Sequence, residues 1–206
     1  KGGRKFWGGI GQPIADALKL LVKEDILPDS ADKRVMIFAP FFIFLAPFLT
    51  FIALPLYENV VVSNFNIGIL YILAVSSVGV IGIILAGWSS YNKWSLYGAM
   101  RAAAQIISYE IPIALSLMLA IIIVGSLQIS DIVQWQSENR WIIIHSPFAF
   151  IAFFIYYISV VAETNRTPFD IPEAESELVA GWMTEFSGFR WALFFLSEYA
   201  NMLIVS

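Results

Sequence analysis

Five apolar runs, approximately 35–56, 67–88, 102–126, 141–162 and 190–206, set the limits on what this chain can fold into. Each of the first four reaches the roughly 20 residues that an α-helix needs to cross about 30 Å of hydrocarbon. The fifth stops at Ser206 without a polar flank, and with Lys1 at the other end the chain reads as a portion of a longer protein. Inside hydrocarbon the backbone must satisfy its own hydrogen bonds. The expected fold is therefore all-α, a polytopic transmembrane helix bundle in which residues 1–206 form a single membrane domain. Composition agrees, because 14% of residues are charged where soluble domains carry about 25%. Pro40, Pro47 and Pro55 are expected to bend the first span, and Ser76, Ser77, Gly79 and Gly82 to let the second approach a neighbour closely.

The polar stretches fix an orientation. Residues 1–12 are glycine-rich and basic, suited to a flexible approach to a membrane surface. Pro13 then opens a helical pattern over 13–26, with Ile14, Leu18, Leu21 and Val22 on one face and Asp16, Lys19 and Lys23 on another. Too short to span, it reads as an amphipathic helix lying in the interface. Eleven of the twelve lysines and arginines fall on one side of this topology and Arg140 on the other. The excess marks the cytoplasmic or matrix side, which holds the interfacial helix, the 88–101 loop and the 162–189 segment, while loops 57–66 and 127–140 face outward.

Polar groups at the edge of hydrocarbon are the candidates for chemistry. The segment 162–189, AETNRTPFDIPEAESELVAGWMTEFSG, carries Glu163, Asp170, Glu173, Glu175, Glu177 and Glu185 beside two apolar runs. Asp170 with Glu173 reads as a capping box, which makes part of this acidity structural. Glu173 and Glu177, one turn apart, would repel and are not explained that way. Glu163 and Arg166 are candidates for a helix-end ion pair. Within the spans, Glu110 has Ile106, Ile107, Ile113 and Ala114 as helical neighbours and is expected to face the bundle interior or a wet cavity. Glu198, about 12 Å beyond Arg190 on the last span, poses the same problem. Both could simply hold helices together. They also have the property a proton carrier needs, since a carboxyl group taken out of water keeps its proton more readily. His145 reads as an interfacial polar residue. With no cysteine, the chain holds neither a disulfide nor a thiolate-bound cluster, so a redox centre would belong to a partner. The basic residues flank spans, which leaves nucleic-acid binding without support.

The stretches GGIGQPIADALKLLVKED, NIGILYILAVSSVGVIGIILAGWSSYNKWSLYGAMRAAAQIISYE, AETNRTPFDIPEAESELVAG and FFLSEYANM closely resemble the quinone-site membrane subunit of proton-pumping NADH:quinone oxidoreductase, respiratory complex I. In the mitochondrial enzyme this is subunit 1, and the resemblance runs over essentially the whole chain. It implies about eight spans in the full protein, of which this chain lacks the first and those after the fifth run. It implies a quinone cavity near Asp16, Glu163, Arg166, Asp170, Glu173, Glu175 and Glu177, and a path of buried acids through Glu110, Glu163, Glu185 and Glu198 towards the antiporter-like subunits. Quinone is then the substrate. No flavin, haem or iron–sulfur cluster is expected in this chain, and electrons would come from the terminal cluster of a neighbouring peripheral subunit. The other implied partners are the small and antiporter-like membrane subunits and the lipid bilayer. The implied location is a bacterial plasma membrane or the mitochondrial inner membrane.

Related membrane modules serve ferredoxin- or deazaflavin-linked dehydrogenases and membrane-bound hydrogenases, and copurifying peripheral subunits would separate these. A proton-coupled secondary transporter would need an internal repeat, and none is evident among the five runs. A bare scaffold would leave Glu110, Glu198 and the loop acids without a purpose.

Overall fold

The computed structural model describes residues 11–55, 63–170 and 180–205, apart from the side chain of Pro13. These residues form helices and turns and no strand. The helices are α1 (Gln12–Val22), α2 (Lys33–Phe51), α3 (Gly68–Ser89), α4 (Lys93–Val124), α5 (Ile129–Glu138), α6 (Ile142–His145), α7 (Pro147–Glu163) and α8 (Gly188–Val205), with a 3-10 turn at Gly181–Met183 before α8. Helices α2, α3 and α4 are long and apolar enough to cross a membrane, which makes this a membrane protein. Helix α7 is a shorter apolar helix of 17 residues, and α8 carries Arg190 and Glu198 within its 18.

Local chemistry explains where the helices begin and end. Asp32 caps α2, its Oδ1 accepting from the amides of Arg34 (3.1 Å) and Val35 (3.4 Å). Asn92 caps α4 in the same way, accepting from Trp94 N at 3.0 Å. Gly125, at φ +79°, closes α4 in the left-handed conformation that glycine reaches without a Cβ penalty. Capping by Asn92 moves the start of α4 back from 102 to 93. The inner loop expected at 88–101 is therefore mostly helix, and α4 is about 48 Å long at 1.5 Å per residue. The fourth run does not form one continuous helix from 141 to 162. Pro147 takes the first position of α7 and Ser146 caps it, its Oγ accepting from Ala149 N at 3.1 Å, so the short α6 stands apart. Much of the outer loop at 127–140 is the helix α5, for which Ser126 accepts from Gln128 N and donates to Asp131. Both Pro40 and Pro47 lie inside α2 and are buried, and Tyr71 of α3 donates to the Leu49 carbonyl near the end of that helix. Helix α1 exposes Ile14, Leu18, Leu21 and Val22, the apolar face an interfacial helix turns towards lipid.

The helices pack in the order α8, α2, α3, α4, α7, with α1 against α8. They share a buried core in which Met36, Ala39, Ile83, Ala86, Ala99 and Phe194 meet Trp182 and Phe186. Both of those aromatic rings stand edge-on to Phe194, at 4.6 and 4.8 Å. Close approach depends on glycine at three places, one of them Gly87 of α3, where a Cβ would collide with Ala99 Cβ of α4. A Cβ on Gly82 would lie 2.5 Å from Ile43 Cγ1 of α2, and one on Gly98 of α4 would lie 2.7 Å from the backbone of Gly181. The junction between α1 and α8 is polar. Arg190 Nε donates to both carboxylate oxygens of Asp25 at 2.8 Å, Nη2 adds a further bond, and Ser187 Oγ accepts from Ile26 N at 3.0 Å.

Two outcomes follow from this packing. Gly82→Ala should destabilise the solubilised protein by about 1–3 kcal/mol through overpacking. Gly79→Ala in the same helix, whose Cβ would meet Ala46 at an ordinary 3.6 Å, should leave the melting temperature nearly unchanged. Arg190→Ala should cost about 2 kcal/mol, less than for a fully buried pair because Asp25 is half in water, and Arg190→Lys should recover part of that loss in the same melting assay.

Candidate functional site

The end of α7 organises the polar residues around it. Thr164 follows the last helical residue, Glu163, and its hydroxyl bonds back to the Val160 carbonyl at 3.0 Å. Asn165 then takes the left-handed conformation at φ +50°. Its amide donates to Ala162 O (3.2 Å) and that of Arg166 donates to Val161 O (3.2 Å). These two bonds are a Schellman motif, with asparagine in the place glycine most often takes. The sequence Glu-Thr-Asn-Arg therefore stops the helix sharply, keeping Glu163 on the bundle side and carrying Arg166 across to α8.

Arg166 does not pair with Glu163. Its Nη2 lies 3.0 Å from Glu198 Oε1 of α8, its Nε meets Met202 Sδ at 3.3 Å, and its guanidinium stands 5.6 Å from the centre of the Tyr199 ring. Glu198 is the better shielded partner, with its side chain 21% exposed against 44% for Arg166. Asp170, itself exposed, is near enough for its charge to act on Glu198. The turn after α7 and the middle of α8 are thus joined by an ion pair that sequence spacing alone does not suggest.

Glu163 and Glu110 form a second group. They are close enough for their charges to act on one another, and Tyr156, two turns before Glu163 on α7, senses the charge of Glu163. Glu110 accepts a hydrogen bond from the Ser77 hydroxyl of α3, which also lies 3.0 Å from the Leu73 carbonyl. A hydroxyl has one proton to give and can accept as well. Ser77 can donate to an ionised Glu110, or donate to Leu73 and accept from a protonated one, so it serves both states of the acid. The sequence marks Ser77 only for its small size, and its role as a donor depends on its rotation about α3 relative to α4.

A cavity of about 550 Å³ lies between α2, α3, α4, α7 and α8. Its wall is mostly apolar, with Ile43, Ile83 and Ile113 among its residues, and Glu163, Tyr156 and Asn201 supply polar groups. Apolar walls with a few convergent polar groups are the usual form of a site for a small amphipathic molecule.

The remaining expected site residues lie apart from these groups. Asp16 accepts from Gln12 (3.3 Å) and pairs with Lys19 (3.4 Å), both on α1. Glu185 accepts from Asn92 Nδ2 at 2.6 Å, at the cap of α4. Asn92 precedes Glu110 by 18 residues, or about 27 Å along the helix. Glu173, Glu175 and Glu177, and with them the capping box at Asp170, lie outside the described residues. His145 packs edge-on against Trp135 at 5.4 Å. Among the described residues no group of three or more metal-binding side chains occurs. Gln105 is a further polar residue at the site. From α4 its Nε2 donates to Ala162 O (2.8 Å), Asn165 Oδ1 (3.0 Å) and Phe169 O (2.8 Å). Nothing in the sequence marks it except that it is polar within an apolar run.

The family model described as NADH dehydrogenase matches residues 2–206. A protein of Anaeromyxobacter dehalogenans, named as the H subunit of NADH-quinone oxidoreductase, is 48% identical over 200 residues, covering 96% of this chain and 48% of its own length. The proteins of the same name from Dehalococcoides mccartyi and Chlorobaculum tepidum are 52% and 47% identical, with 55% and 57% of their lengths covered. The chain spans about half the length of the curated relatives it matches. With a family model matched from residue 2 to residue 206, the chain belongs to the NADH dehydrogenase family.

Proposed function

We propose that this chain forms part of the quinone-binding cavity of a proton-translocating NADH:quinone oxidoreductase and begins the buried acidic path that couples quinone reduction to proton movement. The observation that carries this reading is the placement of Glu163. It ends a membrane helix, lines the apolar cavity and interacts with Glu110 inside the bundle. The quinone side consists of Asp16, Glu163, Arg166 and Asp170, together with Glu173, Glu175 and Glu177 of the following segment. The proton path runs through Glu163, Glu110 and Glu198, with Glu185 at its surface end beside the α4 cap. Electrons come from the terminal iron–sulfur cluster of a peripheral subunit, and the path leads on to the small and antiporter-like membrane subunits. The three relatives are bacterial, which supports a bacterial plasma membrane.

The chemistry sets what the acids must do. Reduction of a quinone to its quinol takes two electrons and two protons, so charge appears in a space with few waters to screen it. In a medium of low dielectric constant a charge acts over a longer distance than in water. Glu163 and Glu110 lie near enough for a change of charge at one to be felt at the other. Ser77 keeps Glu110 hydrogen-bonded in either protonation state. Arg166 sets a positive charge beside Glu198, at the turn that follows Glu163.

In the assembled complex, Glu110→Gln should preserve assembly and lower quinone-coupled proton pumping by on the order of tenfold or more. Unchanged turnover and pumping in proteoliposomes would remove Glu110 from the path. For the second ion pair, the double variant Arg166→Gln/Glu198→Gln should melt no lower than the worse single variant, giving a coupling of about 1 kcal/mol in a double-mutant cycle. Strict additivity of the two losses would show that the pair does not act as one.

A further inference from the structure

The turn after α7 is held against α4 by one amide. Gln105 Nε2 carries two hydrogens, and three oxygens converge on it, from Ala162, Asn165 and Phe169. Ala162 O belongs to the last turn of α7, where it already accepts from Asn165 N at 3.2 Å, and a carbonyl oxygen has a second lone pair to offer. Asn165 is the left-handed residue of the Schellman motif, and Phe169 O lies beyond the Arg166 turn. The three oxygens therefore span the whole bend from which Glu163 and Arg166 project. One turn further along α4, Tyr109 meets the Phe169 ring edge-on at 5.5 Å, and Glu110 follows directly. Gln105 and Glu110 are five residues apart on one helix, about 7.5 Å.

A rigid helix thus carries both Glu110 and the donor that fixes the bend bearing Glu163. Two separate helices would otherwise set the distance between these acids. Resting on the function proposed above, we propose that Gln105 is a positioning residue: by gripping the bend after α7 it holds Glu163 in register with Glu110, so that a proton step at one is felt at the other. It touches neither substrate nor proton and acts only through the segment it holds. A role in stability alone would make a different prediction, since loss of the amide would then lower the amount of complex without altering the work done by each complex that assembles.

The test compares Gln105→Met, which keeps the length and removes the donor, with the parent in the intact membrane complex. Assembled complex is quantified by electron transfer to a water-soluble artificial acceptor, and activity is expressed per assembled complex. The expected result is a kcat for quinone reduction lower by about tenfold, in line with the cost of a displacement near 1 Å, at little-changed KM and with fewer protons moved per quinol. Hydrogen exchange should quicken at the amides of Asn165, Arg166 and Phe169. Unaltered exchange at these amides overturns the proposal, and so does faster exchange with unaltered kcat and proton yield. Should Gln105→Met not assemble, Asn165→Gly keeps the left-handed turn and removes one acceptor. A drop of about twofold in kcat with unchanged KM is then expected, and no drop overturns the proposal. Glu110→Gln run alongside separates the two ideas, because full activity in that variant defeats the proposed function whatever Gln105 does.

Discussion

Hydrocarbon offers no hydrogen-bond partner, so every polar side chain that enters this bundle must find one within the protein. The hydroxyls manage it locally. Ser76, Ser159, Thr164 and Ser197 each bond to a carbonyl three or four residues back on their own helix. A carboxylate has no proton to donate to a carbonyl when ionised, and it must look to another element. Glu110 turns to Ser77 of α3, and Glu198 turns to Arg166 beyond the end of α7. The acids that are most expensive to bury are therefore also the contacts that tie separate parts of the chain together. The bare helix-holding role left open for Glu110 and Glu198 and their proposed proton chemistry rest on the same bonds.

What the residues announce and what they conceal divide along one physical line. Spans declare themselves through length and hydropathy, which is why α2 and α3 are recognisable from residues alone. The start of α4 is hidden because Lys93–Arg101 looks like a loop by polarity. The segment is helical because Asn92 caps it, Ala99 and the alanines that follow at 102–104 favour helix, and Gly98 packs against Gly181. In the fourth run, proline after serine opens a new helix at 147, where hydropathy by itself runs on without a break. The site shows the same division. Glu110 and Glu198 stand out as charges within apolar spans. Ser77 and Gln105 are ordinary polar residues whose importance lies in the rotation of one helix about another, which has no signature in a single chain. The pairing of Arg166 with Glu198 is more instructive. Glu163 is three residues from Arg166 and Glu198 is 32 residues away, yet the left-handed Asn165 turns the chain so that the distant partner is the one within reach.

Helix α8 joins the end of α1 to the buried acids. At its start Arg190 is bound to Asp25, just past α1, and eight residues later Glu198 is bound to Arg166 in the bend after α7. Eight residues of α-helix are about 12 Å of stiff rod. The side chain of Arg190 is only 6% exposed, which makes its tie the less screened of the two, while Arg166 remains half in solvent and holds the looser one. A displacement of α1 would accordingly be passed to α8 with little slack at the first junction and reach the acids at the second, where the bend also answers to Gln105 on α4. The end of α1 and the bend after α7 are thus tied to one stiff helix eight residues apart, each step an ion pair, a hydrogen bond or a rigid element.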